Sequence, residues 1–390
     1  MKKEPHPGVV GAPTLSPLFL ARLSRRGALP DPFGSRTVRT YYQARYAIWH
    51  ALRALGIKPG ENVAFPALHC SAELDAFVDL GIGLRFYGID DSLRVRFDSL
   101  ESAIDDRTRA LFVIHYFGLP QRMDTIGEFC RRKGLRLIED CAHTIRGFYG
   151  DRLLGTFGDA SIFSMRKLLP LPDGGALRIN DPAIDPPAEP AVTPPCGRTV
   201  GGVRRSISRN LETQQGPLAR VLRARVLKPA FAALKAVGSG RGSDPSPREE
   251  QYEFVPERIH WGMSSLSRAI LRSTPLDEVC RRRCENFHSL AMRLGPTTHV
   301  KTLALEIPEN FCPWLFPVLV DRPEAFVAHL MGRGIEVSEF WQRFHPAFPR
   351  NQFPAESAMK ERLLPLPVHH QLGERHMRWI AETVLAWNGS

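Results

Sequence analysis

The 390-residue chain lacks the features that mark several specialised classes of protein. It has only seven cysteines, and no Cys or His partners stand at zinc-like spacing, so neither a disulfide framework nor a metal site is expected. No apolar run approaches a membrane span, and the N-terminal stretch MKKEPHPGVVGAP is polar where a signal peptide would be apolar. With 43% hydrophobic and 24% charged residues, the composition predicts a soluble, cytoplasmic, globular protein with reduced thiols.

Acidic residues are scarce in one segment. Residues 197–242 hold ten Lys or Arg but a single acid, Glu212, and so supply +9 of the net charge of +11. Because the basicity belongs to this segment, it does not predict nucleic-acid binding by the whole protein. The proline-rich stretch before it and the linker GSGRGSDPSP within it predict an insertion at about 182–250. A basic helix starting at Pro217 could contact an anionic membrane surface, but a covering helix or a solvated loop is favoured.

Strand and helix patterns alternate from about residue 45 to 180. Helical patterns cover ARYAIWHALRALG (44–56) and RMDTIGEFCRRKG (122–134), and strand patterns cover NVAFPA (62–67), LRFYGID (84–90) and LRLIEDCAH (135–143). This alternation predicts an α/β domain with a mainly parallel sheet between helices. The last ninety residues, which include a strand pattern at IEVSEF (335–340), predict a smaller α+β domain. The expected division is an N-terminal arm (1–40), a large domain (41–270) with the insertion, and a small domain (271–390).

Two residue types with useful chemistry follow predicted strands. Ligands bind beyond the carboxyl ends of strands in such sheets, where Asp140 and His143 fall. Lys167 lies in FSMRKLLPLPDGGAL (163–177), between an apolar strand and a Gly-Gly return. A lysine can form a Schiff base with an aldehyde, and a carboxylate can hold a protonated pyridine nitrogen. Taken alone, however, Lys167 fits a surface lysine better, and Asp140 fits a turn-capping acid equally well.

The helix that begins near Arg45 offers a third feature. Helix N-termini bind phosphate groups through unpaired backbone N–H groups and the helix dipole. Arg45 could add a positive charge there, and Ser164 a hydroxyl donor. An ordinary helix start is the commoner explanation of this pattern on its own.

Taken together, these segments resemble one known family. ALRALGIKPGENVAFPALH, DDRTRALFVIHYFGLPQRMD, IEDCAH, GTFGDASIFSMRK and LPLPVHHQL occur in the order found in the DegT/DnrJ/EryC1/StrS sugar aminotransferases. The resemblance runs from about residue 41 to the C-terminus, apart from the insertion. It implies the fold type I architecture of enzymes that use pyridoxal 5'-phosphate (PLP), with a large PLP-binding domain and a smaller C-terminal domain.

The resemblance also implies roles for individual residues. Lys167 would form the Schiff base with PLP, and Asp140 would hold the pyridinium nitrogen. His143 would lie near the phenolic oxygen. The phosphate would be bound by Ser164 and by the backbone N–H groups of Arg45 and Tyr46, and Cys70 occupies the place of a ring-stacking aromatic. Two departures stand out: Lys167 follows Ser164 by three residues where relatives have five, and Cys70 is not aromatic.

The implied reaction is transfer of an amino group from an amino acid, commonly glutamate, to a keto sugar that is usually nucleotide-linked. Such enzymes serve surface-polysaccharide or secondary-metabolite sugar pathways and act as homodimers with active sites at the subunit interface. Two alternatives remain open. One is a PLP-dependent sugar dehydratase, although those relatives carry histidine at the position of Lys167. The other is a non-catalytic relative that keeps the fold for binding or regulation.

Overall fold

The computed structural model describes residues 6–24, 26–213, 254–295, 297–337, 341 and 343–389. A seven-stranded sheet forms the larger layer, with strands in the spatial order β1-β9-β8-β5-β4-β2-β3. These strands are β1 (Val38–Tyr41), β2 (Asn62–Pro66), β3 (Gly83–Tyr87), β4 (Thr108–Ile114), β5 (Arg136–Cys141), β8 (Ala160–Phe163) and β9 (Gly175–Ile179). Between β5 and β8, β6 (Phe148–Tyr149) and β7 (Arg152–Leu153) form a separate hairpin.

The sheet is parallel from β3 through β2, β4 and β5 to β8, and β9 runs antiparallel to both of its neighbours, β8 and β1. The predicted α/β class with a mainly parallel sheet is therefore confirmed. Because β5 and β8 are parallel neighbours, with Asp140 paired to Ile162, their carboxyl ends lie at one edge of the sheet. Residues that follow either strand are brought together there.

Helices cover the sheet because their apolar residues recur at helical spacing. Those of the first half are α1 (Pro17–Ala21), α2 (Ala44–Ala54), α3 (Asp75–Asp79), α4 (Phe97–Ala103), α5 (Met123–Lys133), α6 (Met165–Leu168) and α7 (Cys196–Thr213). In α2, Ile48 and Leu52 are fully or almost fully buried against the sheet. Helix α5 ends at Gly134, whose φ of 66° is the left-handed cap that glycine adopts most easily.

The C-terminal part forms a second layer. Its strands are β10 (Val300–Thr302), β11 (Leu315–Val320) and β12 (Leu363–Pro367), and its helices are α8 (Ser265–Arg272), α9 (Leu276–Arg293), α10 (Pro323–Met331), α11 (Pro354–Arg362) and α12 (Glu374–Leu385). The three strands are antiparallel, and Phe287, Phe316, Phe326 and Ile380 belong to a core of their own. This arrangement is the small α+β unit that the sequence predicts.

The N-terminal segment packs against that second unit. Val9 forms an isolated bridge with Ile335, and the backbone N–H of Thr14 donates to Gln371 Oε1 at 2.8 Å. Strand β1 begins at Val38, inside the predicted arm, and belongs to the large sheet. The division into an arm, a large domain and a small domain stays a prediction.

Two local expectations have other outcomes. IEVSEF was expected to form a strand, but of its described residues Ile335 makes only the bridge to Val9, and Glu336 and Val337 lie outside any strand. The predicted helix from Pro217 lies outside the described residues. Within the described part of the insertion, α7 is helical. None of the described helices is long and apolar enough to cross a lipid bilayer.

Candidate active site

The edge where β5 and β8 end brings two of the predicted residues together. Asp140 is the fifth residue of β5, and Lys167 lies on α6, which begins two residues after β8. The positive charge of Lys167 lowers the pKa of Asp140, so the amine lies within electrostatic range of the carboxyl group. Within the described part of the chain, no hydrogen bond or ion pair joins the two groups.

Asp140 is almost completely buried, with 1% of its surface exposed. Burial raises its pKa, and three groups oppose that effect: the Lys167 charge, the backbone N–H of Ala142 and His115. The Ala142 N–H donates to Asp140 Oδ1 at 2.6 Å. A short hydrogen bond of this kind favours the ionised carboxyl, which is the form that can hold a positively charged partner.

Lys167 is held from both sides. Its Nζ lies 4.7 Å from the centroid of the Trp314 ring, a distance typical of a cation–π contact. The carbonyl oxygen of the next residue, Leu168, accepts a hydrogen bond from Arg283 Nη2 at 2.5 Å. Arg283 Nη1 also donates to the carbonyl oxygens of Pro313 and Trp314, at 3.1 and 3.0 Å. This one guanidinium group therefore joins the lysine helix to the segment that carries the aromatic ring.

His143 lies two residues after β5 and is 1% exposed. Burial lowers its pKa well below the ordinary value, and the Lys167 charge adds to the effect, so the imidazole is neutral. Its Nδ1 accepts a hydrogen bond from the backbone N–H of Phe117 at 3.0 Å. The proton of the neutral ring is therefore on Nε2. The ring centroid lies 4.5 Å from that of Trp314.

The start of α2 lies against Gly175, the first residue of β9, which is next to the end of β8. Gln43 occupies the N-cap position of α2 and makes no side-chain hydrogen bond to the helix. A Cβ atom at Gly175, in β9, would collide with the backbone nitrogen of Ala44, so the glycine allows the strand to meet the helix start directly. A long helix whose N-terminus has no side-chain cap and lies beside such a cradle is suited to an anion.

Of the two helix residues predicted to bind phosphate, Arg45 is nine-tenths buried, with 8% exposed. Burial lowers the pKa of its guanidinium, and the charge of Arg166 lowers it further. Two neighbouring guanidinium groups at a helix start favour a negatively charged ligand. The backbone N–H of Tyr46, by contrast, donates to the carbonyl oxygen of Gln43 at 3.2 Å, and its side chain is fully buried.

Ser164 lies at the N-cap of α6 and is 4% exposed. Its side chain makes no capping hydrogen bond, while its carbonyl oxygen accepts from the Lys167 N–H at 3.0 Å. Ser164 therefore lies immediately before α6, and a backbone hydrogen bond at the start of this helix joins it to Lys167.

Cys70 ends the loop after β2. It lies within electrostatic range of Glu73 and Lys360, and the three form a second cluster of buried polar groups. Burial raises the pKa of its thiol, and a small thiol cannot stack on a ring as an aromatic does. Glu73 follows on a short 3-10 helix (Ser71–Glu73), with 8% of its surface exposed. Lys360, on α11, is 1% exposed and donates from Nζ to the carbonyl oxygen of His69 at 3.0 Å. Burial lowers the pKa of Lys360 to about 8.

Four of these residues were not predicted from the sequence: Glu73, Arg283, Trp314 and Lys360. Glu73 stands only three residues after Cys70, and a carboxyl group so soon after a buried strand was a readable signal. The other three come from the second unit, more than 100 residues away in the chain. Local sequence carries no sign of their proximity to Lys167.

A separate buried cluster of His115, Glu139 and Cys141 has side-chain atoms that lie within 4.8 Å of one another. Glu139 already accepts four hydrogen bonds, from His115 Nε2 and from the backbone N–H groups of Gly155, Phe157 and Gly158. A carboxylate with all its lone pairs occupied organises the loop before β8 and has no capacity left for a metal ion.

The arrangement fits PLP, which needs an amine for its aldehyde, a carboxylate for its ring nitrogen and an anion site for its phosphate. Lys167, Asp140 and the start of α2 supply these groups on three neighbouring elements. The electrostatic proximity of Lys167 and Asp140, and the cradle at Gly175, are the features on which this fit rests. Cys70, which occupies the place of a ring-stacking aromatic, does not supply that contact.

Comparison with known proteins finds sequence matches to aminotransferases. Residues 32–199 match the sequence profile of the DegT/DnrJ/EryC1/StrS aminotransferase family. The chain is 33% identical over 141 residues to the dTDP-4-dehydro-2,3,6-trideoxy-D-glucose 4-aminotransferase of Saccharopolyspora spinosa, and 34% identical over 143 residues to the UDP-N-acetyl-3-dehydro-alpha-D-glucosamine 3-aminotransferase of Acidithiobacillus ferrooxidans. These alignments cover 35% and 36% of this chain, and only 37% and 39% of the relatives' own length.

Solved structures extend the likeness of the fold to nearly the whole chain. AtS13 from Actinomadura melliaura matches with a TM-score of 0.66 at 21% identity, over 98% of this chain and all of that protein. The sugar aminotransferase CalS13 from Micromonospora echinospora matches with a TM-score of 0.62 at 20% identity, over 97% and 100%. The matched segment 32–199 contains Lys167, Asp140, His143 and the start of α2. Over residues 32–199, this chain is therefore similar in sequence to the DegT/DnrJ/EryC1/StrS aminotransferase family.

Proposed function

We propose that the protein is a PLP-dependent aminotransferase that moves an amino group from an amino acid, glutamate in the first instance, to the keto group of a nucleotide-linked sugar. The observation that carries the proposal is that Lys167 and the buried Asp140 lie within electrostatic range of each other at the carboxyl ends of β5 and β8. The start of α2, which lacks a side-chain cap, adds a site suited to an anion. The relatives' names support the substrate class, because they act on dTDP- and UDP-linked keto sugars.

Each residue has a defined task in this proposal. When bound, PLP supplies an aldehyde and a ring that accepts electron density from the substrate carbon. Lys167 would bind the aldehyde and would move a proton as base and then as acid. Asp140, ionised with the help of the Ala142 N–H, would hold the ring nitrogen in its charged form. Neutral His143 carries its proton on Nε2.

The phosphate end would be held by the start of α2, Arg45 and Ser164. The helix dipole and the buried Arg45 guanidinium supply positive charge there, and Gly175 lets the backbone approach closely. Together with Lys167 at the aldehyde and Asp140 at the ring nitrogen, these groups would set the orientation of the cofactor. A lysine at position 167 supports transamination over the dehydratase alternative.

The setting of the reaction follows from the same relatives. One of them is the spore coat polysaccharide biosynthesis protein SpsC of Bacillus subtilis, 34% identical over 138 residues, which supports a role in surface-polysaccharide sugar synthesis. We further propose a cytoplasmic homodimer with its active sites at the subunit interface. Light scattering of the purified protein would test the dimer directly, with a monomer as the contrary result.

The decisive experiment follows the first half of the reaction. The PLP-loaded protein is mixed with glutamate in the absence of sugar, and its visible absorption and the released 2-oxo acid are measured. We expect the band to disappear and the 2-oxo acid to form in an amount equal to the bound PLP. Asp140→Asn should bind PLP yet react at least about a hundredfold more slowly, since the ring would lose its charged form.

The result that would overturn the proposal is a PLP band that no amino donor changes. That outcome would favour the non-catalytic relative. If the band responds to donors other than glutamate, the aminotransferase reading stands and only the donor changes.

A further inference from the structure

Glu73 is a carboxyl group inside the candidate site to which the mechanism above assigns no task. It ends the 3-10 helix that follows Cys70, and it is 8% exposed. Its Oε2 is buried and, within the described part of the chain, has no hydrogen-bond partner. An unpaired buried carboxyl oxygen costs stability, because the group has lost its water and gained nothing in return. A residue that served folding alone would be better replaced by an apolar side chain.

Charged and titratable groups from several elements lie within electrostatic range of Glu73. Asp140 on β5 lies close enough to raise its pKa, while Lys167 on α6 and Lys360 on α11 lower it. Cys70 and Tyr116 also feel the Glu73 carboxyl group. No ion pair joins Glu73 to either lysine among the described residues. The Glu73 carboxyl group therefore lies within electrostatic range of Lys167 and Asp140. A backbone hydrogen bond at Cys70 lowers its pKa, but its buried Oε2 has no donor among the described residues.

Two carboxyl groups that share one enclosed site do not both ionise readily. Asp140 has the better-stabilised charge, because the Ala142 N–H donates to it at 2.6 Å. Glu73 has an oxygen without any donor, and burial, followed by the charge of Asp140, raises its pKa to about 8. The single proton of the pair therefore stays on Glu73 at neutral pH.

We propose that Glu73 is a ligand-binding residue of this site: a protonated carboxyl group that donates a hydrogen bond to an oxygen atom of the molecule bound between Lys167 and Asp140. The ligand in this statement rests on the proposed function, with PLP as the probe. The carboxyl proton gives the site an acidic donor next to the ionised Asp140. Ionisation of Glu73 removes that donor and adds a second negative charge.

The first test uses the protein without added PLP and compares wild type with Glu73→Gln. A carboxyl group whose pKa is raised by folding stabilises the protein below its unfolded pKa, and this contribution is lost as the pH rises toward the folded pKa. The glutamine variant does not titrate. Its Tm advantage over wild type should therefore grow between pH 5 and pH 8 to about 3 °C or more, and stay level above that.

The matched control is Glu257→Gln, because Glu257 also lies on a 3-10 helix but is exposed. Its Tm should follow wild type at every pH. Equal Tm curves for wild type and Glu73→Gln across this range would mean that Glu73 holds no buried proton, and would overturn the inference.

The second test measures PLP binding at pH 7 and pH 9. If the bound state keeps the Glu73 proton, the ratio of the Kd at pH 9 to that at pH 7 should be about tenfold larger for wild type than for Glu73→Gln. Equal ratios would overturn the ligand-binding role. A wild-type protein that binds no PLP would instead refute the proposed function, and the ligand-binding role with it, while the Tm comparison would still report the buried proton independently.

Discussion

Arg283 Nη2 donates a hydrogen bond of 2.5 Å to the carbonyl oxygen of Leu168, although 115 residues separate them in the chain. Arg283 is fully buried on α9, and burial lowers the pKa of its guanidinium to about 10. Its other nitrogen, Nη1, reaches the carbonyl oxygens of Pro313 and Trp314. One side chain of the C-terminal unit thus fixes the backbone just after Lys167 relative to the aromatic ring that contacts the Lys167 amine.

Replacing this residue should uncouple the two segments. Arg283→Met leaves three buried carbonyl oxygens without donors, so we expect the free energy of unfolding to fall by about 2 kcal/mol or more. PLP affinity should fall as well, because the helix that carries Lys167 loses its anchor. Urea denaturation and an equilibrium PLP titration measure the two effects.

The same helix provides the control. Arg281 is exposed and pairs only with its helix neighbours Glu278 and Glu285, so Arg281→Met should change stability by no more than about 0.5 kcal/mol. If both variants behave alike, the account of Arg283 is wrong.

Arg45 provides a prediction about the phosphate end of the cofactor. Arg45→Met should weaken PLP binding about tenfold or more, as expected for the loss of a charged hydrogen-bond donor. Pyridoxal, which lacks the phosphate, should bind the variant and the wild type equally. Arg53→Met, on the exposed side of α2, should leave both affinities unchanged. A loss of affinity that is equal for PLP and pyridoxal would contradict the assignment.

His369 predicts a sensitivity to acid. Its ring is 3% exposed and donates from Nε2 to the carbonyl oxygen of Val10 at 2.9 Å. Burial, with a contribution from the Arg283 charge, lowers its pKa to about 3. Because the unfolded chain binds this proton near pH 6.5, stability is lost as the pH falls below that value, by about 2 to 3 kcal/mol at pH 4.5.

His369→Gln keeps a donor for Val10 but does not titrate. Between pH 6.5 and pH 4.5, its unfolding free energy should fall less steeply than that of wild type. The difference in slope should correspond to one proton fewer bound on unfolding. His6→Gln, at an exposed position, should keep the wild-type slope. An unchanged slope in His369→Gln would show that this histidine is already charged in the folded protein.

The sequence predicts those site residues whose proximity follows from the order of strands and helices along the chain. Strands alternating with helices predict a parallel sheet, and a parallel sheet places Asp140, His143 and Lys167 at one edge. Ser164 and Lys167, whose short spacing is a departure from relatives, are joined by a backbone hydrogen bond at the start of α6. In these cases, local pattern and tertiary structure agree.

It was uninformative where the site depends on contacts between distant segments. Trp314, the residue before β11, contacts the Lys167 amine. Lys360, on α11, donates a hydrogen bond to His69 in the loop that ends at Cys70. Neither has a local signature, since a tryptophan before an apolar strand reads simply as core. The strand expected at IEVSEF is a similar case. Among its described residues, Ile335 forms an isolated bridge with Val9, which lies at the far end of the chain.

The most direct measurement of the central claim is to reduce the PLP-loaded protein with borohydride and locate the modified residue by mass spectrometry. We expect loss of the visible band and a covalent pyridoxyl group on Lys167. Lys167→Ala should give no such adduct, while Lys301→Ala, at an exposed lysine, should behave as wild type. An adduct on any other lysine, or a wild-type protein that shows no band even with excess PLP, would contradict the account.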